Sequence, residues 1–458
     1  MATQTHRNAL AFTTIAAACV AAFGLHSCAL ASTVYVTNCN DSGAGSLRAA
    51  VSPLTASNGD TVDMTSLTCS KISLGTGELA ITQDNLTLLG PGAEKLRLDG
   101  KYLGRAINHQ GHGTLAIHDL YVSYGYAYST DGTARGGCLY SSGHVILRRA
   151  TVAHCKATST RQASFGGGIF SADTLALYNS IVRASTASSP YNRALGGGVF
   201  AGQRFSMSYS TLSDNNATGS NAIGGGAFSL GGTQVVASTI SGNVSSGNAG
   251  GISVTPAVAA YGDRYVFNLT NSTISGNHAD GLVGGAYSTV LTSVLYSTIA
   301  FNTANRGSFN AGGTTIYQAA GLTVFEHNAN LSVDLEGVIA AENRYGGAGR
   351  ENDFNGSNAT ISATHNAIRV SSSALPGTNI AGVCTQLGPL RDNGGPTRTH
   401  ALLSGSPAID QGLAGGVSSF DQRGPGYERN SGNLDLGSFE VQHDETVFNS
   451  NFEGCAAL

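Results

Sequence analysis

The stretch NAIGGGAFSLGG, Asn221–Gly232, decides how the whole chain is read. A glycine triplet of this kind cradles phosphate when it closes on Gly-Lys-Ser/Thr and opens a helix. No such ending follows here, and QVVASTIS at Gln234–Ser241 is β-branched and alternating, the pattern of a strand. A dinucleotide fold fails on the same ground, since it needs strand, glycine turn and helix in that order.

The triplet is also one of a series. GGCLY starts at Gly136, GGGIF at Gly166, GGGVF at Gly196, GGGAF at Gly224, AGGIS at Ala249, GGAYS at Gly284 and AGGTT at Ala311. The aligned markers Cys138, Gly168, Gly198, Gly226, Gly251, Gly285 and Gly313 are 30, 30, 28, 25, 34 and 28 residues apart. Within the period, Val152, Val182, Leu212, Ile240 and Ile299 form an aliphatic column 14 residues after the marker. Ala150, Ser180, Ser210, Ser238 and Ser297 form a column of small residues two positions earlier. Asn215, Asn243 and Asn302 stand 17 residues after it. The Gly251 repeat keeps the text NSTISGN nine residues late, which brings Ser272, Ile274 and Asn277 into the same columns.

A unit of about three short strands and two or three turns cannot bury its own apolar side, whereas stacked units can. The expected class is therefore all-β, a solenoid of parallel sheets, roughly ten coils and on the order of 50 Å long at ~4.8 Å per coil. Stacking gives each column a reason. Asn215, Asn243, Asn277 and Asn302 should form a hydrogen-bonded ladder over the turns, and Phe170, Phe200, Phe228 and Tyr287 an aromatic stack.

Composition fits a folded exported protein. Of 458 residues 41% are apolar and only 11% charged, and the net charge is −4, so nothing attracts nucleic acid or an anionic membrane. Arg7, the apolar run ALAFTTIAAACVAAFGL and the small residues Ala29–Ala31 read as a secretory signal over 1–31, with no transmembrane helix after its removal. Cys19 and Cys28 leave with it. Cys39, Cys69, Cys138, Cys155, Cys384 and Cys455 remain, an even set without CxxC, which favours disulfides over zinc. Cys39–Cys69 is the favoured pair; Cys138–Cys155 and Cys384–Cys455 follow by elimination.

Three segments carry a resemblance to known families. The glycine-marked units resemble the repeats of bacterial right-handed parallel β-helix proteins, including polymorphic outer-membrane and adhesin-like families. VTNCNDSGAGSLRAAV, Val36–Val51, looks like the opening segment of secreted members. LGPLRDNGGPTRTHALLSGSPAID at Leu387–Asp410, DQRG at Asp421–Gly424 and NLDLGSFE at Asn433–Glu440 closely resemble the choice-of-anchor Q domain, and DLEGVIAAEN at Asp334–Asn343 fits the segment before it. The resemblance implies a right-handed parallel β-helix at a bacterial surface and supplies no catalytic residue. It divides the chain into an opening segment with first coils at 32–135, β-helix repeats at 136–383, a choice-of-anchor Q-like domain at 384–441 and a tail at 442–458.

Chemistry-bearing residues are sparse. Gly111–Gly113 is a Gly-His-Gly of the type β-helix polygalacturonases carry, but no Asp-Asp, Asn-Thr-Asp or Arg-Ile-Lys completes that constellation, so His112 reads as a turn residue. Arg148, Arg149, Arg161, Arg183 and Arg193 have few carboxylates near them in sequence, and Asp173 and Asp214 stand singly. Asp392, Asp410, Asp421, Asp435 and Glu440 lie among turns with Arg391, Arg398 and Arg423, a set suited to an irregular structural cap. No catalytic, metal-binding or cofactor-binding residue is assigned. The expected role is non-enzymatic adhesion, or binding of polysaccharide or a host or cell surface. A polysaccharide-degrading lyase or glycoside hydrolase is the alternative.

Overall fold

The computed structural model describes residues 31–442, apart from 257–264, 312–313, 326–330, 347–348, 414–417 and 430–432. The expected signal peptide apart from Ala31, and the tail beyond Gln442 with Cys455, lie outside the described residues. The chain winds as a parallel β-helix. One coil runs Leu139–Ser141 (face I), His144–Arg148 (face II), Thr151–Ala153 (face III), then Lys156–Ser159 with Ser164–Phe165 (face IV). Each strand pairs in parallel with its equivalent about 30 residues on, as in Leu139 with Ile169 and Val152 with Val182. Among the described residues the four sheets contain 10, 12, 12 and 11 strands.

There are four faces, not three. Face IV grows from polar text such as Lys156–Ser159 and the 10-residue strand Thr186–Leu195, whose side chains carry little strand preference. Main-chain pairing to the coils on either side decides the matter, because strand propensity measures fit to neighbours more than intrinsic preference. A second correction concerns the last marker. Gly313 falls outside the described residues, Ser308–Ala311 and Thr314–Tyr317 pair as an antiparallel hairpin, and the column passes instead from Ala286 to Leu322, just after Gly321.

Two corners of each coil are single left-handed residues. Arg149, Asn179, Tyr209, Ala237, Asn271 and Tyr296 turn the chain from face II to III at φ 44° to 48°. Tyr124, His154, Ala184, Asp214 and Phe301 turn it from III to IV at φ 51° to 58°. Such conformations are costly for residues with a Cβ. The serine and asparagine columns just beyond the corners hold them in place. Backbone N–H groups of Ser180, Ser210, Ser238 and Ser272 donate to the serine Oγ of the next coil, at 3.1–3.2 Å. Each Oγ in turn donates to the carbonyl two residues back.

The opening triplet lies beside the second column. Gly224 has φ +74, and a Cβ on Gly226 would stand 2.6 Å from Gly251 O and 3.0 Å from Asn243 Cγ. Gly198, Gly251, Gly285 and Gly321 face Asn215, Asn277, Asn302 and Asn343 in the same way. The asparagines form a continuous ladder. Asn215 N–H and Nδ2 both donate to Asn243 Oδ1 at 3.0 Å, and the pattern repeats through Asn277, Asn302 and Asn343 to Asp353. Upstream the same two columns hold Cys138 and Cys155, which form a disulfide with Cα atoms 5.3 Å apart. Cys39–Cys69 closes a second bridge at 6.4 Å. Cys384 is also disulfide-bonded; its expected partner Cys455 lies outside the described residues.

The interior is aliphatic, with Leu115, Val145, Leu175, Phe205 and Phe267 among its fully buried side chains. At the start of the rod, Ser46 caps a four-residue helix, Leu47–Ala50. Arg48 donates to Glu78 O, Gly77 O and Asp41, which anchors the GSLR motif to the first coils. After Ile380 the chain turns back. The described residues of 384–442 form no end cap: they lie along the flank of face III, where Thr239, Thr273 and Thr298 bond to Arg398 O, Gln422 and Ser438. A second apolar cluster of Ala300, Ile339, Ala341, Leu387, Leu402, Leu436 and Phe439 fills this seam.

Candidate ligand-binding groove

The three-residue strands of face I point their outer two side chains inward and the middle one outward. The register therefore builds an external column: Tyr140, Phe170, Phe200, Phe228, Ser253, Tyr287, Thr323. The first four rings stack at 5.4, 5.1 and 5.8 Å between centroids, with planes 2° to 8° apart. They form an apolar cluster of their own, outside the main interior, completed by Leu195 and by half-buried Phe165, Ile223 and Leu230. The expected aromatic column is thus external, and Tyr287 does not continue it. Ser253 stands between Phe228 and Tyr287, so the stack stops at Phe228.

Where it stops, the surface opens into a groove of about 850 Å³. Phe200, Phe228, Ser253 and Tyr287 lie along one side; Leu195, Ile223 and Asn248, at the end of face IV, lie along the other. Arg193 and Asn221 line it near one end and Arg306 and Gln318 near the other, with Thr255 between. Among the described lining residues there is no Asp or Glu. Gln318 is 3% exposed, and its Oε1 has no hydrogen-bond partner among the described residues. Arg193 and Arg306 are exposed and form no ion pair among the described residues.

The other charged residues behave differently. Arg149 binds Asp119 and Arg161 binds Asp131, at 2.7 and 2.8 Å, each across one coil. These pairs are 30 residues apart, so local sequence hides them and the repeat register reveals them. Arg148 lies over the Tyr178 ring at 4.4 Å, and Asp173 faces His144. His112 is an exposed turn residue whose N–H donates to Asp84. Sequence reasoning did not single out Arg306, Gln318 or Asn248. The signal for Asn248 was available, since it comes one coil after Ile223 in the face IV register.

In the flanking segment the acidic and basic residues stitch the fold. Arg423 and Asp421, both fully buried, pair at 2.8 Å, and the guanidinium sits 3.9 Å from the Tyr427 and Phe439 rings. Asp435 accepts from the Asp410 and Val441 N–H groups. Burial pushes Asp435 up to about 6; burial with Asp435 alongside pushes Glu440 up to about 8. His400 Nδ1 donates to Gly388 O, and Nε2 accepts from Ser275 Oγ at 2.8 Å; burial lowers this imidazole to about 4. Asp392 and Arg391 remain at the exposed turn, bonded to Gly394 N–H and Asn393. Among the described residues no three His, Cys, Asp or Glu side chains are arranged to hold a metal ion. No described helix is long and apolar enough to cross a membrane.

No family model matches the chain, and no curated protein matches it. Among solved structures, the crystal structure of pectate lyase Pel9A aligns with a TM-score of 0.44 at 11% identity, over 90% of this chain and 96% of that one.

Proposed function

We propose that this β-helix binds an extended polysaccharide along the face I groove, as an exported surface protein without hydrolytic chemistry of its own. The observation that carries the reading is the lining of the groove: aromatic and aliphatic side chains along the walls, with amide, hydroxyl and guanidinium groups between them. Sugar rings present apolar C–H faces and a rim of hydroxyls, and this surface offers a partner to each. Glycoside hydrolysis calls on a pair of carboxyl groups flanking the scissile bond, a chemistry that the described lining residues do not offer. The disulfides support an oxidising, extracytoplasmic destination. In this reading surface attachment belongs to the choice-of-anchor Q-like segment 384–441 together with the tail 442–458.

The test is incubation of the mature protein with a panel of neutral and acidic polysaccharides, scoring retention and released products together. The expected result is retention of at least one polymer with no release. It should weaken on Phe228→Ala, while Phe170→Ala, inside the stack and away from the groove lining, should change it less. Release of new reducing or unsaturated ends would sink the binding reading and favour a lyase or glycoside hydrolase.

A further inference from the structure

Several arginines elsewhere on the rod surface find acidic partners. Arg149 pairs with Asp119, Arg161 with Asp131 and Arg105 with Glu78. Stacking makes this easy, because every outward residue has a neighbour one coil away. The two groove arginines form no such pair among the described residues, and neither do exposed Arg148, Arg183 and Arg204. In register Arg193 is followed by Asn221, and Arg306 N–H bonds to Gly281 O, whose own N–H bonds to Gly247 O. The neighbouring positions thus carry an amide or no side chain, and neither guanidinium forms an ion pair among the described residues. Four coil steps separate their backbone levels, roughly 19 Å at the spacing of parallel strands.

An unpaired guanidinium facing a partly apolar groove is a preformed site for a planar or tetrahedral oxyanion, which it binds through two parallel N–H donors. Two of them, one toward each end of a groove whose described lining carries no carboxylate, select for negative charge recurring along one ligand. Asn221, Asn248 and Thr255 supply hydrogen bonds between the two cations. Gln318 lines the groove at the Arg306 end, and its buried Oε1 has no hydrogen-bond partner among the described residues. The overall charge of −4 does not attract a polyanion, so any preference for one has to arise locally.

We infer that the groove takes a polyanionic glycan, with carboxylate or sulfate groups held by Arg193 and Arg306. This rests on the groove-binding reading above and narrows it from polysaccharides in general to acidic ones.

The probes are polygalacturonate and dextran sulfate, with unmodified dextran as the neutral polymer, titrated against the full mature chain at low and moderate ionic strength. The acidic polymers should bind at least about tenfold more tightly than dextran at low salt, and lose affinity as salt rises. Arg193→Gln with Arg306→Gln should remove most of that preference, with an unchanged melting temperature. Arg161→Gln, an exposed arginine outside the groove, should leave binding unaltered. Equal binding of neutral and acidic polymers, untouched by the double substitution, would overturn the inference while the groove reading stands. Loss of binding on Arg161→Gln would also overturn it, by showing diffuse charge attraction. Retention of no polymer at all would remove the groove reading itself.

Discussion

The side chain of Asn243, in the inner ladder, makes four hydrogen bonds. Asn243 Nδ2 donates to Leu212 O and to Asn277 Oδ1, both at 2.9 Å, while its Oδ1 accepts from the N–H and Nδ2 of Asn215. All of these atoms are buried, so Asn243→Ala leaves several polar groups without partners at once. The expected loss is on the order of 3 kcal/mol, read as a lower midpoint in chemical or thermal unfolding. An unchanged midpoint would refute the ladder. Gly226→Ala attacks the same contact from the other side, because its Cβ meets Asn243 Cγ. The two losses should therefore sum to less than additive in the double variant. The Cys138–Cys155 disulfide occupies the same two columns, so Cys138→Gly with Cys155→Asn should rebuild the Gly–Asn contact of later coils. We expect that pair to unfold cooperatively and to keep more stability than Cys155→Ala alone, which forfeits a bridge worth about 3 kcal/mol. At this scale the asparagines were legible because they repeat. The left-handed corners were not, because Arg149, Asn179, Tyr209 and Ala237 share no chemistry that marks a positive φ.

The element that differs most from its sequence reading is the segment 384–442. Its aspartates and arginines suggested a cap, and its turns gave no period from which to place it. Only the buried outer threonines of face III, and Thr273 above all, hint that something must cover them. Its buried ionisable groups make the seam sensitive to pH in two opposite senses. His400 is held near 4, below the ordinary 6.5, so between these values the unfolded chain binds more protons than the folded one. Its contribution is full above pH 6.5 and is lost as pH falls toward 4, roughly 3 kcal/mol in all. His400→Gln should thus cost stability at neutral pH, and the gap to wild type should close under acid. Glu440 has the reverse sign. Its folded value is raised to about 8 from 4.5, so its contribution is full below 4.5 and fades as pH rises through 8. Glu440→Gln, which mimics the protonated acid, should gain on wild type between pH 5 and pH 8. Melting curves from pH 4 to pH 8 check both, and parallel curves for variant and wild type would reject either assignment.

For the whole molecule, the solenoid and its period were written in the glycine, aliphatic and asparagine columns, because every coil must meet its neighbours in the same way. The groove was written only in part. The aromatic residues repeat and could be aligned, but the groove depends on where that repetition fails, at Ser253, and on side chains from two different faces. An interruption carries no period, so it becomes visible only once the register is known. Replacing Ser253 with Phe should extend the ring stack toward Tyr287 and fill the groove. We expect glycan retention to fall by about tenfold or more with the fold intact, measured by affinity electrophoresis beside a melting curve. Undiminished retention would move the binding surface elsewhere on the rod.

The flank has a consequence for how the molecule is assembled. Coil-to-coil ladder bonds join residues 25 to 41 apart, so the rod can grow by adding one turn to the last. Bonds across the seam join residues 100 to 183 apart and touch successive coils from Thr239 to Gly337. They can form only after those turns exist, and only if none has slipped. Were one coil misthreaded, Thr239 and Thr273 would no longer meet Arg398 O and Gln422 together. The flanking segment thus depends on the winding being complete and in register. It closes on a correctly counted stack and leaves a miscounted one with a wet, unsealed side.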